Sequence, residues 1–281
     1  MFHTFLPQKP GPIGIFDSGY GGLTILRSIR EQLPEYDYLY LGDNARAPYG
    51  SRSFEVVYDF TLQAVKRLFE LGCHLVILGC NTASAKALRS IQQNDLPYLD
   101  PSRRVLGVIR PTVEVVGELS ANKHVGILAT PGTIKSESYN IELEKFYPGI
   151  RVSGQACPLW AALVENNEHL GAGADYFVEK NLNQLLEQDP EIDTIILGCT
   201  HYPLLLEKIR KYTPSSIRLV PQGDYVAKSL QQYFVNHPEM ESRCTKHGTC
   251  EFLTTESSEK FAENATIFLD YEIHAKKIVL E

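Results

Sequence analysis

Cysteine is sparse, with six in 281 residues and no two in a Cys-x-x-Cys pair. That excludes a disulfide scaffold and a thioredoxin-like dithiol, and it suits a compartment where thiols stay reduced, so a cytoplasmic protein is expected. Basic residues are outnumbered: 27 Lys and Arg against 34 Asp and Glu leave a net charge of −7. Such a chain offers no overall attraction to nucleic acid, and none is expected as a partner. No apolar run approaches membrane-spanning length, so no membrane partner is expected. Met1 to Pro12 lacks the basic region and apolar stretch of a secretory signal. Also missing are a Walker loop, an H-E-x-x-H helix and a lysine motif for a Schiff base.

What is present is an ordinary globular composition, 43% apolar and 22% charged, in a length that suits one large domain or two ordinary ones. One phrase occurs twice: Leu75-Val76-Ile77-Leu78-Gly79-Cys80-Asn81-Thr82 and Thr194-Ile195-Ile196-Leu197-Gly198-Cys199-Thr200-His201. Each is an aliphatic run ending in Gly-Cys, the pattern of a buried parallel strand, and helix-like sequence follows. Ligands of open α/β sheets bind beyond the carboxyl ends of the strands. Both cysteines therefore belong to one candidate site.

In chain order, Ile13–Phe16 predicts a first strand ending at Asp17-Ser18-Gly19, then a helix with Leu23, Leu26, Ile29 and Leu33 on one face. Tyr38–Leu41 predicts the second strand, Ser53 to Leu71 a long helix, Ala83 to Gln92 another, and Arg104–Ile109 a further strand meeting Pro111, a break or a helix start. The stretch His124 to Thr133 repeats the pattern of Ile13 to Gly22. Gly14 and Cys80 lie 66 residues apart, Gly126 and Cys199 73 apart, which predicts two related halves, one thiol from each. Residues 1–109 with 224–281 are expected to form one α/β domain and 110–223 the other.

Two thiols on opposite faces of a carbon can invert it: one removes a proton, the other returns one. A helix N-terminus after each cysteine would lower its pKa. A cysteine hydrolase built on Cys199 and His201 leaves Cys80 unexplained. Cys73, Cys157, Cys244 and Cys250 lack the repeated context and are expected to be core. Gly19-Tyr20-Gly21-Gly22 misses the G-x-G-x-x-G spacing, and Asp17 would repel a pyrophosphate and suits an ammonium group better. Cys244, His247 and Cys250 have no fourth metal ligand, so no metal site is expected.

The phrases Gly14-Ile15-Phe16-Asp17-Ser18-Gly19, Gly42 to Gly50, Gly79 to Ser84 and Gly198 to Pro203 together closely resemble the glutamate racemases of the aspartate/glutamate racemase family. The resemblance implies two flavodoxin-like parallel-sheet domains related by pseudo-symmetry, with the site in the cleft between them. It implies cofactor-independent interconversion of L- and D-glutamate for peptidoglycan, and a homodimer. Cys80 and Cys199 match the catalytic bases, for D- and L-glutamate respectively. Asp17 would assist Cys80 and His201 would assist Cys199, with Glu165 where a family acid sits. Ser18, Tyr49, Gly50, Asn81, Thr82 and Thr200 match substrate-binding positions. Arg110 departs from the usual pattern, and a charge there would either alter substrate preference or regulation or lie on the surface. Racemisation of aspartate or of several amino acids, and non-catalytic amino-acid binding as a regulator, are the alternatives.

Overall fold

Among residues 9–281, those the computed structural model describes, ten strands collect into two sheets with every pairing parallel. The leader reading of Met1 to Pro12 lies, for residues 1–8, outside the described residues. The strands are β1 (Ile13–Asp17), β2 (Tyr38–Gly42), β3 (Leu75–Leu78), β4 (Arg104–Gly107), β5 (His124–Ala129), β6 (Arg151–Ala156), β7 (Thr194–Gly198), β8 (Arg218–Val220), β9 (Cys250–Thr254) and β10 (Ala275–Lys277). The first sheet runs β10-β9-β2-β1-β3-β4 and the second β6-β5-β7-β8. β1, β3 and β7 are buried along their whole length, which is why they read as unbroken aliphatic runs.

Both sheets contain the same order, with the second strand beside the first, then the third and fourth. In that order the winding reverses between β1 and β3, and again between β5 and β7, so each sheet opens a crevice there. The pairing of Phe16 with Leu78 brings Asp17 and Ser18 beside Gly79 and Cys80, and the pairing of Ala129 with Gly198 brings Thr130 beside Cys199. The two related halves expected from the sequence are thus present as two α/β lobes, and each thiol stands at its lobe's switch point.

Local departures have local causes. The helix expected over Ala83 to Gln92 is in segments: Asn81–Lys86, Leu88–Ser90, a π-helical turn Ile91–Asp95 and Leu96–Leu99. At this turn Gln92 Nε2 donates to Val105 O at 2.7 Å and the Tyr58 hydroxyl donates to Asp95 Oδ2 at 2.7 Å. β4 stops at Gly107 because a helix begins at Ile109, and Pro111 lies in that helix's first turn, where a missing N–H leaves no bond unmade. The chain leaves the first lobe through Val108 and returns through Gln222, which opens the helix Gly223–Asn236 packed on the helix Gly22–Gln32. No helix of the described residues is long and apolar enough to cross a membrane.

Candidate active site

Cys80 ends the run after β3 and is the N-cap of Asn81–Lys86, its sulfur accepting from Ala83 N at 3.5 Å. The helix is thus capped by the thiol itself. Ser18 Oγ lies 3.4 Å from Cys80 Sγ. Asp17 closes β1 alongside; its Oδ1 accepts from Gly19 N at 2.9 Å, while Oδ2 is buried with no hydrogen-bond partner. Burial raises the Asp17 pKa, against the opposing charge of His201. Burial, reinforced by the charge of Asp17, pushes the Cys80 thiol up to about 12. The expected lowering by a helix N-terminus does not hold at Cys80: one short helix end is outweighed by desolvation and a neighbouring carboxylate. A cationic group between Asp17 and Cys80 would counter both effects.

The second thiol has a different support. Cys199 Sγ is 3.7 Å from His201 Nδ1, and His201 Nε2 is 2.8 Å from Glu165 Oε1, at the end of the helix Trp160–Glu165. Burial alone would lower the His201 pKa, but its hydrogen bonds to Cys199 and Glu165 outweigh that and hold it well above the ordinary histidine value. The ring is fixed between sulfur and carboxylate. Trp160, fully buried and 4.8 Å from the Tyr202 ring, anchors the helix that carries Glu165.

The two thiols are only 6% and 7% exposed. Contacts across the cleft are close. Gly132 N donates to Gly50 O at 2.8 Å, and the Thr24 hydroxyl lies 2.9 Å from Thr200 O. Thr82 Oγ1 stands 3.0 Å from Thr130 Oγ1 and 3.4 Å from Thr133 Oγ1. A Cβ on Gly21 would lie 2.2 Å from Thr200 Oγ1 and 2.5 Å from His201 Nδ1, so the glycine permits the approach. Tyr49 donates to Asp43, which Arg46 Nε (2.7 Å) and Thr255 (2.9 Å) also hold. Asn81 is drawn into a buried amide network with Gln222 and Tyr139.

Of the eleven residues singled out from the sequence, nine lie at the thiols or on their immediate supports, while Tyr49 is held on Asp43 and Gly50 meets Thr130 and Gly132 across the cleft. Thr130, Thr133, Tyr139 and Gln222 join them without having been singled out. The repeat of Ile13–Gly22 in His124–Thr133 was the available signal for Thr130 and Thr133, since Thr130 holds the register position of Ser18; nothing local marks Gln222. Arg110 belongs to the surface, paired with Glu114 at 2.9 Å with its side chain 60% exposed. His247 hydrogen-bonds Asp37 at 2.6 Å, and Cys244 and Cys250 are packed into the core around β9.

The profile of the family described as Asp/Glu/Hydantoin racemase matches residues 13–229. A glutamate racemase from Roseobacter denitrificans is 40% identical over 267 residues, covering 92% of this chain and 96% of its own. A glutamate racemase isoform from Bacillus anthracis superposes with a TM-score of 0.87 at 33% identity, over 96% of this chain and 98% of that one. The glutamate racemase of Francisella tularensis in complex with D-glutamate gives 0.86 at 31% identity, over 98% and 99%.

Proposed function

Because this chain belongs to the Asp/Glu/hydantoin racemase family, we propose that it interconverts L- and D-glutamate by a two-thiol, cofactor-independent proton transfer. The observation that carries this reading is the pair of buried thiols at matching switch points, each with its own acid-base support. From L-glutamate, Cys199 as thiolate takes the Cα proton, forming its S–H bond as the Cα–H bond breaks. The Cys80 S–H then gives its proton to the opposite face, leaving a thiolate. D-glutamate runs the same steps backwards, with Cys80 as base.

The neighbours fit these roles. Asp17 Oδ2, buried without a partner, receives the α-ammonium group, whose charge eases loss of the Cys80 proton. The hydroxyls of Ser18, Thr82 and Thr200, the Asn81 amide and the Tyr49-Gly50 backbone hold the two carboxylates, joined by Thr130 and Thr133. Such fixed donors stabilise charge developing at the α-carbon in a cleft closed to water. His201 positions and charges the surroundings of Cys199, and Glu165 holds His201. Of the domains expected at 1–109 with 224–281 and at 110–223, we further assign the described residues 9–109 with 224–281 to one lobe and 110–223 to the other, a division that sheet membership supports. Supply of D-glutamate to peptidoglycan, a homodimer and a cytoplasmic location complete the reading.

Purified protein with chelator and reductant, and no added cofactor, is expected to bring the optical rotation of L-glutamate and of D-glutamate to zero. Since enantiomers have equal free energies, kcat/KM should be equal in both directions. Unchanged rotation of glutamate by folded protein would contradict the proposal. Loss of rotation with L-aspartate alone would move the substrate, and silence with both would leave the amino-acid-binding regulator.

A further inference from the structure

At the hinge between the lobes three side chains close a ring of hydrogen bonds. Asn81 Nδ2 donates to Gln222 Oε1 at 2.6 Å, Gln222 Nε2 donates to the Tyr139 hydroxyl at 2.9 Å, and that hydroxyl donates to Asn81 Oδ1 at 2.8 Å. Every bond runs in the same sense around the ring, the arrangement in which successive donors polarise one another. The ring is sealed: Asn81, Gln222 and Tyr139 are each 2% exposed. It is also anchored, since Gln222 Nε2 lies 2.9 Å from Thr112 Oγ1 and 3.2 Å from Val108 O.

The placement of the three residues gives the ring its meaning. Asn81 directly follows Cys80. Tyr139 lies in the second lobe, on the helix Ser138–Phe146, with its ring against the residue before Cys199: a Cβ on Gly198 would lie 3.2 Å from Tyr139 Cε2. Gln222 stands where the chain returns to the first lobe, and its amide reaches Val108, where the chain first left. One glutamine thus ties both interlobe crossings to the residue after the first thiol. An asparagine amide carries two N–H donors and an oxygen with two lone pairs. The ring uses one of each, fixes the amide plane, and leaves one donor and one lone pair for a ligand.

We propose that Gln222, with Tyr139, is a positioning residue for the racemase reaction: the ring orients the Asn81 amide beside Cys80 and couples that orientation to closure of the lobes. Gln222 touches no reacting atom in this account. An apolar residue of similar volume would fill the same space, but it would neither orient Asn81 nor link the two crossings. The inference rests on the proposed racemisation, and wild-type turnover of glutamate is the control that separates the two.

The test compares Tyr139→Phe, Gln222→Met and the double variant by kcat and KM for L- and D-glutamate, and by hydrogen exchange across the segments 105–112 and 218–225. Each single substitution is expected to lower kcat by roughly tenfold to a hundredfold, the scale of a misplaced active-site group, with a smaller change in KM. Because either one opens the ring, the double variant should be little worse than the more damaging single one. Both hinge segments should exchange faster. Wild-type activity with unchanged kcat in both folded single variants would overturn the inference, as would losses that multiply in the double variant. A lowered melting temperature with normal kcat and KM would also overturn it, because that is what a purely structural network would show. No turnover by the wild type would instead remove the racemase reading; unchanged hinge exchange in the variants would then overturn the coupling on its own.

Discussion

Replacing either Cys80 or Cys199 by alanine is expected to abolish interconversion of glutamate in both directions, whichever enantiomer is supplied. A positioned acid or base contributes roughly 10²–10⁴-fold, and loss of one thiol removes the base of one direction and the acid of the other. At equilibrium the two directions share one transition state, so neither variant can stay active in one direction alone. Cys73→Ala is the control. That thiol is fully buried in the first lobe's core and burial pushes it up to about 12, which suits a packing group. The control should racemise normally and lose about 1 kcal/mol of stability. Polarimetry with equal amounts of folded protein distinguishes the outcomes; a normal rate in Cys80→Ala or Cys199→Ala would show that the thiols are not the acid-base pair.

Gly21→Ala is expected to cost nearly as much without touching a reacting atom. The backbone of Gly21 is right-handed helical, with φ of −57°, so alanine fits locally and the first lobe should fold normally. The obstacle lies across the cleft, because the new methyl would occupy the space of the Thr200 hydroxyl and the His201 ring. The lobes would then stop short of closure, separating Asp17 and Cys80 from Cys199 by a fraction of an ångström or more. Misplacement on that scale costs about 10²-fold. Gly173→Ala, where the added carbon meets nothing within 4 Å, should leave the rate unchanged. Steady-state kinetics with melting curves measures both. An unimpaired Gly21→Ala enzyme would mean that the closed approach of Thr200 and His201 to Gly21 is not needed for turnover.

Most of the architecture was legible because the strands at the centre of each sheet are buried on both faces. β3 and β7 had to be unbroken aliphatic runs, and the glycine and cysteine after each marked where they end. That also located both thiols, with Asp17 and Ser18 at the neighbouring strand end. Supports made by contact between distant segments were less open to reading. The Cys199–His201 contact spans two residues and is visible as a strand-end pair; the His201–Glu165 bond spans 36 positions, and family likeness singled out Glu165 without its partner. Gln222 meets Asn81 across 141 positions and has no pattern of its own. The ionisation of Cys80 was misread for a related reason: the helix end is local and visible, whereas burial and the charge of Asp17 arise only when the lobes assemble. The helix expected over Ala83 to Gln92 is present in segments, while the π-helical turn at Ile91–Asp95, most of it beyond that stretch, has no signature in helix propensity.

The central claim is that two thiols act on opposite faces of one carbon, and isotope tracing at low conversion tests it most directly. L-glutamate is incubated in D2O, the reaction is stopped after a small fraction has turned over, and the enantiomers are separated and weighed by mass spectrometry. If Cys199 removes the proton and Cys80, equilibrated with solvent, delivers another, the D-glutamate formed carries deuterium at Cα while the remaining L-glutamate keeps its hydrogen. Starting from D-glutamate, the pattern reverses. D-glutamate that retains the original hydrogen, or deuterium appearing equally in both enantiomers from the earliest times, would mean that a single base serves both faces and would contradict the account.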